Sequence, residues 1–174
     1  MNGDRDQRRT WCRVYMWRHI ALASNLWKRH NLREFLLMTD LDQAALDNLA
    51  QRAVEAARNS YSPYSHFRVG AALQLSNGEI VTGTNVENVS YGLTICAERS
   101  ALVSAVSQFG PDIRVEAVAV VNLNDAASPP CGACRQMLSE FVLPDAPVTF
   151  PASEGARIMT FSELMPLAFE MKLK

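Results

Sequence analysis

Two short motifs constrain this chain more than anything else in it: Cys96-Ala97-Glu98 and Pro130-Cys131-Gly132-Ala133-Cys134. They hold three of the four cysteines and lie far apart in sequence. If all three thiols serve one metal ion, the fold must bring the starts of two separate segments to a single point. Three thiolates make a zinc site with one coordination position open, and an open position separates a catalytic zinc from a structural one. Glu98 lies close to such a metal without being needed as a ligand. It can serve as the base for a water in the open position.

Composition narrows the alternatives. A chain of 174 residues, 48% of them hydrophobic, is long enough for one ordinary domain core. No apolar run approaches the roughly 18 residues a membrane span needs. Four cysteines in this length do not suggest a disulfide scaffold, and a Cys-x-x-Cys favours metal or redox chemistry. The net charge of −1 hides an asymmetry. Residues 1–38 carry eight Lys/Arg against three Asp/Glu, whereas residues 39–174 carry nine against fifteen. An acidic body is a poor footprint for a nucleic-acid binder, whose affinity rests mostly on neutralising phosphates.

Residues 1–38 read as a basic N-terminal extension, disordered or outside the core, and residues 39–174 as the domain. The extension holds all three Trp, half of the Arg, and Cys12, His19 and His30. An Arg-rich, acid-poor start can resemble an organelle transit peptide; a loosely helical extension, or a true start at Met38, fits as well. From Thr39 the pattern is clear. Thr39 or Asp40 can cap a helix beginning near Leu41, with Leu41, Ala45, Leu49, Ala53 and Ala56 keeping helical spacing to about Asn59. Phe67 to Leu75 alternates as a strand, Asn77-Gly78 turns, and Ile80 to Val86 returns. Ala97 to Phe109 reads as a helix ended by Gly110-Pro111. Val115 to Asn122 is nearly all apolar, as in a strand buried on both faces. Cys131 to Phe141 predicts a second helix; short strands near Pro147 to Phe150 and Arg157 to Thr160 follow, then a last helix from Ser162. The order αββαβαββα implies one sheet with helices packed on it, an α/β layer fold.

In this arrangement Cys96 starts one helix, and Cys131 and Cys134 lie in the first turn of another. Helix N-termini favour thiolate over thiol. Three thiolates leave zinc at net −1 and a weak Lewis acid, so nearby positive charge should offset them. Arg99 and Arg135 each follow a ligand closely and can hydrogen-bond its sulfur, although either could equally be an ordinary helix-packing residue. A first-turn glutamate taken alone could be there only for the helix dipole. A closed structural zinc would want a fourth ligand, and neither Cys12 nor His19, His30 or His66 has ligand spacing. A redox reading of Cys131-Gly132-Ala133-Cys134 leaves Cys96-Ala97-Glu98 unexplained.

The thiol–glutamate pattern matches the signature of zinc nucleobase deaminases. More specifically, the chain resembles the small, homotetrameric class of cytidine deaminases from about Leu41 to Phe169. The resemblance rests on Tyr61-Ser62-Pro63-Tyr64-Ser65-His66-Phe67-Arg68-Val69-Gly70-Ala71-Ala72, Asn85-Val86-Glu87-Asn88, Cys96-Ala97-Glu98-Arg99 and Pro130-Cys131-Gly132-Ala133-Cys134-Arg135-Gln136, with Leu164-Met165-Pro166-Leu167-Ala168-Phe169 near the end. It implies a single-domain, three-layer α/β/α fold with a mixed central sheet. It also implies one Zn²⁺ per subunit held by Cys96, Cys131 and Cys134, with Glu98 as proton shuttle and Arg99 on the ligand sulfurs. Asn85 and Glu87 match a pair that binds the ribose hydroxyls, Phe67 an aromatic packing on the pyrimidine, and Ala97 a further substrate contact. Tyr91 and Phe169 match residues contributed across subunit interfaces.

The implied activity is hydrolytic deamination of cytidine and 2′-deoxycytidine, in pyrimidine salvage, by a cytoplasmic homotetramer with no nucleic-acid or membrane partner. Three features depart from the family pattern: residues 1–38, Val89 where a small residue is expected near the sugar, and Pro129-Pro130 in place of Ser-Pro. Rival readings are a deaminase of blasticidin-type nucleosides, against which Asn85, Glu87 and Phe67 argue, an editor of single-stranded nucleic acid, against which the acidic body argues, and a non-enzymatic zinc module.

Overall fold

The computed structural model describes residues 43–171. The expected cap at Thr39 or Asp40, the 1–38 extension with its boundary, and Cys12, His19 and His30 lie outside the described residues. Helix α1 spans Gln43–Ala57, strand β1 Val69–Leu75 and β2 Ile80–Thr84. A 3-10 turn at Tyr91–Leu93 leads to α2, Ala97–Phe109. Then come β3 (Val115–Asn122), α3 (Gly132–Leu138), β4 (Pro147–Ala152), β5 (Gly155–Thr160) and α4 (Phe161–Leu164). The order matches the sequence expectation, with the 3-10 turn added.

The strands form one mixed sheet in the order β2-β1-β3-β4-β5. Among the described strands only β3 and β4 run parallel; every other neighbouring pair is antiparallel. Two glycines show how the layers are stacked. Gly70 lies opposite Thr84 and Ala71 opposite Gly83, so Gly70 and Gly83 face opposite sides of the sheet. A Cβ on Gly70 would sit 2.0 Å from the Ala53 carbonyl oxygen of α1, and one on Gly83 2.2 Å from the Ala101 amide of α2. Helix α1 therefore covers one face and α2 the other, giving three α/β/α layers.

The two faces are built differently. Toward α1 the sheet offers Gly70, Ala72, Ala117 and Ala119, small enough for the helix to come close. Toward α2 it offers Ala71, Leu73, Leu75, Val118 and Val120, which join Leu102, Leu138, Val148 and Phe161 in the main core. Burying a Leu- or Val-sized side chain contributes about 1.5–3 kcal/mol, so this second face carries most of the hydrophobic stabilisation. Strand β3 is buried along both faces, as its unbroken apolar run predicts.

Element ends differ from expectation where long-range contacts set them. The buried stripe of α1 is Leu46, Leu49, Ala53 and Ala57, with Ala45 and Ala56 at its margin. Helix α3 stops at Leu138 instead of Phe141 because the next residues pair with β3: the Val115 amide donates to the Phe141 carbonyl at 2.9 Å, and the Leu143 amide to the Val115 carbonyl at 3.1 Å. Helix α4 is a single turn, opened by a capping box between Thr160 and Glu163 and halted because Pro166 disfavours helical geometry in Met165. Strands β4 and β5 close in a tight hairpin, Ala152 opposite Gly155, whose φ of 107° favours glycine.

Candidate active site

The starts of α2 and α3 meet. Cys96 is the N-cap of α2 and Cys131 that of α3; neither side chain caps its helix, and both are free to face a common point. Cys134 is buried one turn into α3. The sulfurs of Cys96 and Cys131 are 3.9 Å apart and those of Cys131 and Cys134 3.4 Å, with all three within 4.8 Å of one another. A tetrahedral zinc with Zn–S near 2.3 Å needs sulfurs roughly 3.8 Å apart, so the donor set fits one zinc. It is the one cluster of metal-ligating side chains among the described residues.

Electrostatics prepare the cluster. Hydrogen bonding from the Cys134 thiol, and then from Arg99 and Cys131, lowers the Cys96 pKa to about 5 against the opposing effect of burial. Cys134 is pushed up because its thiol donates to Cys96 and because it is buried near Glu98. A bound metal would draw the remaining thiol protons off. Arg99 donates to the Thr94 carbonyl at 3.0 Å and to the Cys96 sulfur at 3.6 Å. Its Nε is buried without a partner among the described residues. Arg135 takes another role: its Nε donates to the Pro130 carbonyl at 2.8 Å and a terminal nitrogen to the Leu164 carbonyl at 2.9 Å. It braces the loop entering Cys131 instead of a sulfur.

Glu98, in the first turn of α2, is only 4% exposed. Burial raises its pKa above the ordinary carboxylate value, and the charge on Cys96 adds to the effect; its own backbone amide, the Cys134 thiol and Arg99 oppose them. A carboxylate held this way has a high proton affinity and sits beside the thiols, which suits proton transfer. Ala97, fully buried, lies between Cys96 and Glu98.

The other expected residues form a second region that abuts the first. Val86 and Ile95 exchange backbone hydrogen bonds of 3.0 Å, placing Glu87 and Asn85 next to the segment that enters Cys96. Asn85 is buried. Its Oδ1 accepts from the Ser60 hydroxyl and from the Val69 amide, and its Nδ2 donates to the Phe67 carbonyl at 2.8 Å. One side-chain N–H is left over among the described residues. Glu87 accepts from the Tyr64 amide at 3.0 Å, the Ser65 amide at 3.2 Å and the Ser65 hydroxyl, and the last of these leads in lowering its pKa. Phe67 is half-buried. Tyr91 and Val89 are exposed on the 86–95 loop, and Phe169 is exposed near the C-terminus. The Phe169 backbone is gripped at both ends by Gln136, whose Oε1 accepts from its amide at 3.1 Å while Nε2 donates to its carbonyl at 2.9 Å.

The sequence expectation gave no role of their own to Ser60, Ser65, Asn122 and Gln136. Asn122 organises the loop toward Cys131, donating to the Ala126 carbonyl at 2.6 Å and the Ser128 hydroxyl at 2.7 Å. The cluster Asn122, Asn124, Asp125 and Ser128 between β3 and the Cys-x-x-Cys carries the turn-forming composition that would have pointed to it.

Comparison with known proteins agrees with this geometry. The family model for the cytidine and deoxycytidylate deaminase zinc-binding region matches residues 44–149. The chain is 46% identical over 122 residues to a cytidine deaminase of Halalkalibacterium halodurans, covering 70% of this chain and 91% of the relative. It is 43% identical over 121 residues to a cytidine deaminase of Mycobacterium tuberculosis strain H37Rv, covering 70% and 86%. The crystal structure of a cytidine deaminase from Burkholderia pseudomallei superposes with a TM-score of 0.63 at 40% identity, covering 71% of this chain and 98% of that one. Three thiols at two helix starts, a buried glutamate between them and a family match across the same segment lead to one conclusion: the chain belongs to the cytidine and deoxycytidylate deaminase zinc-binding family.

Proposed function

We propose that the chain catalyses hydrolytic deamination of cytidine and 2′-deoxycytidine, giving uridine or 2′-deoxyuridine and ammonia, as a step of pyrimidine salvage. The observation that carries this reading is Glu98, buried and raised in pKa beside three convergent thiols. Cys96, Cys131 and Cys134 hold zinc, one ion per subunit, and Arg99 tempers the charge on Cys96. When bound, zinc supplies the Lewis acidity that makes water a nucleophile near neutral pH. Glu98 takes a proton from the attacking water and delivers it to ring N3. It then carries the hydroxyl proton to the amino group leaving C4, so that water and cytidine leave as uridine and ammonia.

Recognition falls to the second region. Among the described residues Glu87 keeps one of the roughly four acceptor positions of a carboxylate, and Asn85 keeps one N–H; together they offer an acceptor and a donor to a sugar diol. Phe67 packs on the pyrimidine, and Ala97 lines the pocket wall. Exposed Val86, Val89, Tyr91, Leu93 and Ile95 on one loop, and exposed Leu167 and Phe169 further along the chain, support a homotetramer in which Tyr91 and Phe169 complete neighbouring sites. Among the described residues no helix is long and apolar enough to cross a membrane, and thiolate ligands suit a reducing, cytoplasmic setting. Residues 39–174 are the catalytic domain and residues 1–38 an extension to it.

The test is the ultraviolet change on mixing purified protein with cytidine, against a Glu98→Gln control of equal zinc content. Conversion by the native protein alone supports the reading. Zinc-loaded native protein that leaves cytidine and deoxycytidine intact, but acts on a blasticidin-type nucleoside, refutes the substrate assignment. Light scattering that finds an active monomer refutes the tetramer.

A further inference from the structure

The segment 66–68 runs on from the start of β1, where backbone pairing thins to single bonds (the Asn85 amide to the Val69 carbonyl at 3.2 Å on the β2 side), and side chains supply the rest. On the β2 side, Asn85 takes the Phe67 carbonyl and the Val69 amide at 2.8 and 2.9 Å. On the β3 side, Asn124 does the same one residue earlier. Its Nδ2 donates to the His66 carbonyl at 3.0 Å, and its Oδ1 accepts from the Arg68 amide at 2.8 Å. The Leu123 amide also donates to the Arg68 carbonyl at 3.0 Å. Successive backbone groups of an extended strand point to opposite sides, so two amide side chains, one per side, hold four polar groups that strands would otherwise hold. Each amide presents one donor and one acceptor, the pattern that such a strand edge needs.

The segment needs holding. His66 has φ of 58°, in the left-handed region that residues other than glycine seldom occupy. Asn124 grips its carbonyl and the Arg68 amide, so both peptide planes flanking Phe67 are fixed. The Phe67 amide is bonded by the Ser65 hydroxyl at 3.0 Å. Asn85 contributes to the expected sugar site as well, but among the described residues the Asn124 side chain bonds only this backbone, and its own amide turns back to the Asn122 Oδ1 at 2.8 Å.

We infer that Asn124 is a positioning residue for nucleoside binding: it substitutes for a β3 ladder and fixes the backbone from which Phe67 meets the base. This rests on the reading of Phe67 as the aromatic that packs on the pyrimidine. The paired bonds hold a ground-state contact that persists in the transition state, so losing them raises KM and spares kcat.

The experiment is steady-state kinetics with cytidine on the full-length, zinc-loaded chain, comparing native protein with Asn124→Ala, Asn124→Asp, Phe67→Leu and the Asn124→Ala/Phe67→Leu double variant. Asn124→Ala should raise KM about five-fold, from the loss of two modest hydrogen bonds. Its kcat, zinc content and melting temperature should stay near native. Asn124→Asp keeps the acceptor for Arg68 and loses the donor to His66, so its KM should fall between the two. In the Phe67→Leu background Asn124→Ala should add almost nothing, because both act through one contact. An unmoved KM in Asn124→Ala, or an effect that adds in full to that of Phe67→Leu, overturns the inference while leaving cytidine deamination intact. Native protein that does not turn over cytidine overturns both this inference and the function it rests on.

Discussion

The metal region and the proposed recognition region meet where Val86 and Ile95 exchange backbone hydrogen bonds and the Asn88 amide donates to the Thr94 hydroxyl, yet they are made by different means. The thiols and Glu98 sit at the starts of two helices, Cys134 and Glu98 buried, Cys96 half-buried and Cys131 exposed, with positions set by main-chain geometry. The recognition segments, 61–67 and 85–91, are mostly exposed loop held by the side chains of Ser60, Ser65, Asn85 and Glu87. Chemistry that tolerates little displacement is built on rigid elements. Recognition is built on bonds that single substitutions can retune.

That contrast predicts a split in kinetic effects, and the largest is at Glu98. Glu98→Gln should cut kcat by about 10²- to 10⁴-fold, the usual worth of general acid–base catalysis, with KM and zinc content held. A loss expressed mainly in KM would break the division between the regions. Next is Gly83→Ala. The added methyl collides with the α2 backbone, so stability should fall by about 1–3 kcal/mol in urea denaturation. Because the collision falls at Ala97 and Ala101, kcat should drop too. Gly70→Ala collides with α1 instead and should cost comparable stability with less effect on kcat; equal kcat losses in the two variants would remove the distinction.

Smaller effects sharpen the recognition side. Ser65→Ala removes bonds to Glu87 and to the Phe67 amide, so KM should rise about three-fold with kcat held. The Ser65 hydroxyl leads in lowering the Glu87 pKa below its ordinary 4.5. The ionised form of Glu87 is therefore complete above that value and is lost only as pH falls through the lowered one. In Ser65→Ala this acid-side rise in KM should begin at higher pH, which a KM profile between pH 7 and pH 4 reads directly. One effect lies outside both regions and touches stability alone. Thr160→Ala should cost about 1 kcal/mol by loss of the capping box, leaving kcat and KM alone. Glu163 is likewise lowered by Thr160, so that difference should shrink as pH falls below the ordinary carboxylate range.

The same contrast decides what was legible in the sequence. Val115–Asn122 reads correctly to the residue because burial on both faces leaves an unbroken apolar run. Ala97–Phe109 does so because Gly110 marks its end. The thiols and Glu98 are legible because motif spacing and helix starts are local facts. The end of α3 is not, since pairing with Val115 sets it from far along the chain. Nor is the way Asn85, Ser65 and Asn124 hold the loop: nothing local to Asn124 shows that its amide grips residues 56 and 58 positions away. The Arg135 contact with Leu164 is equally remote.

The two glycine contacts have a mechanical consequence. At Gly70 and Gly83, neighbours across the β1–β2 pair, the α1 and α2 main chains bear directly on the sheet from opposite sides. Side chains absorb displacement by changing rotamer; two main chains in contact have no such slack. The stack from α1 through the sheet to Ala97 therefore behaves as a stiff strut whose far end carries Cys96 and Glu98. A load applied to α1, such as a bulky partner fused at its start, will arrive at the metal site largely undamped.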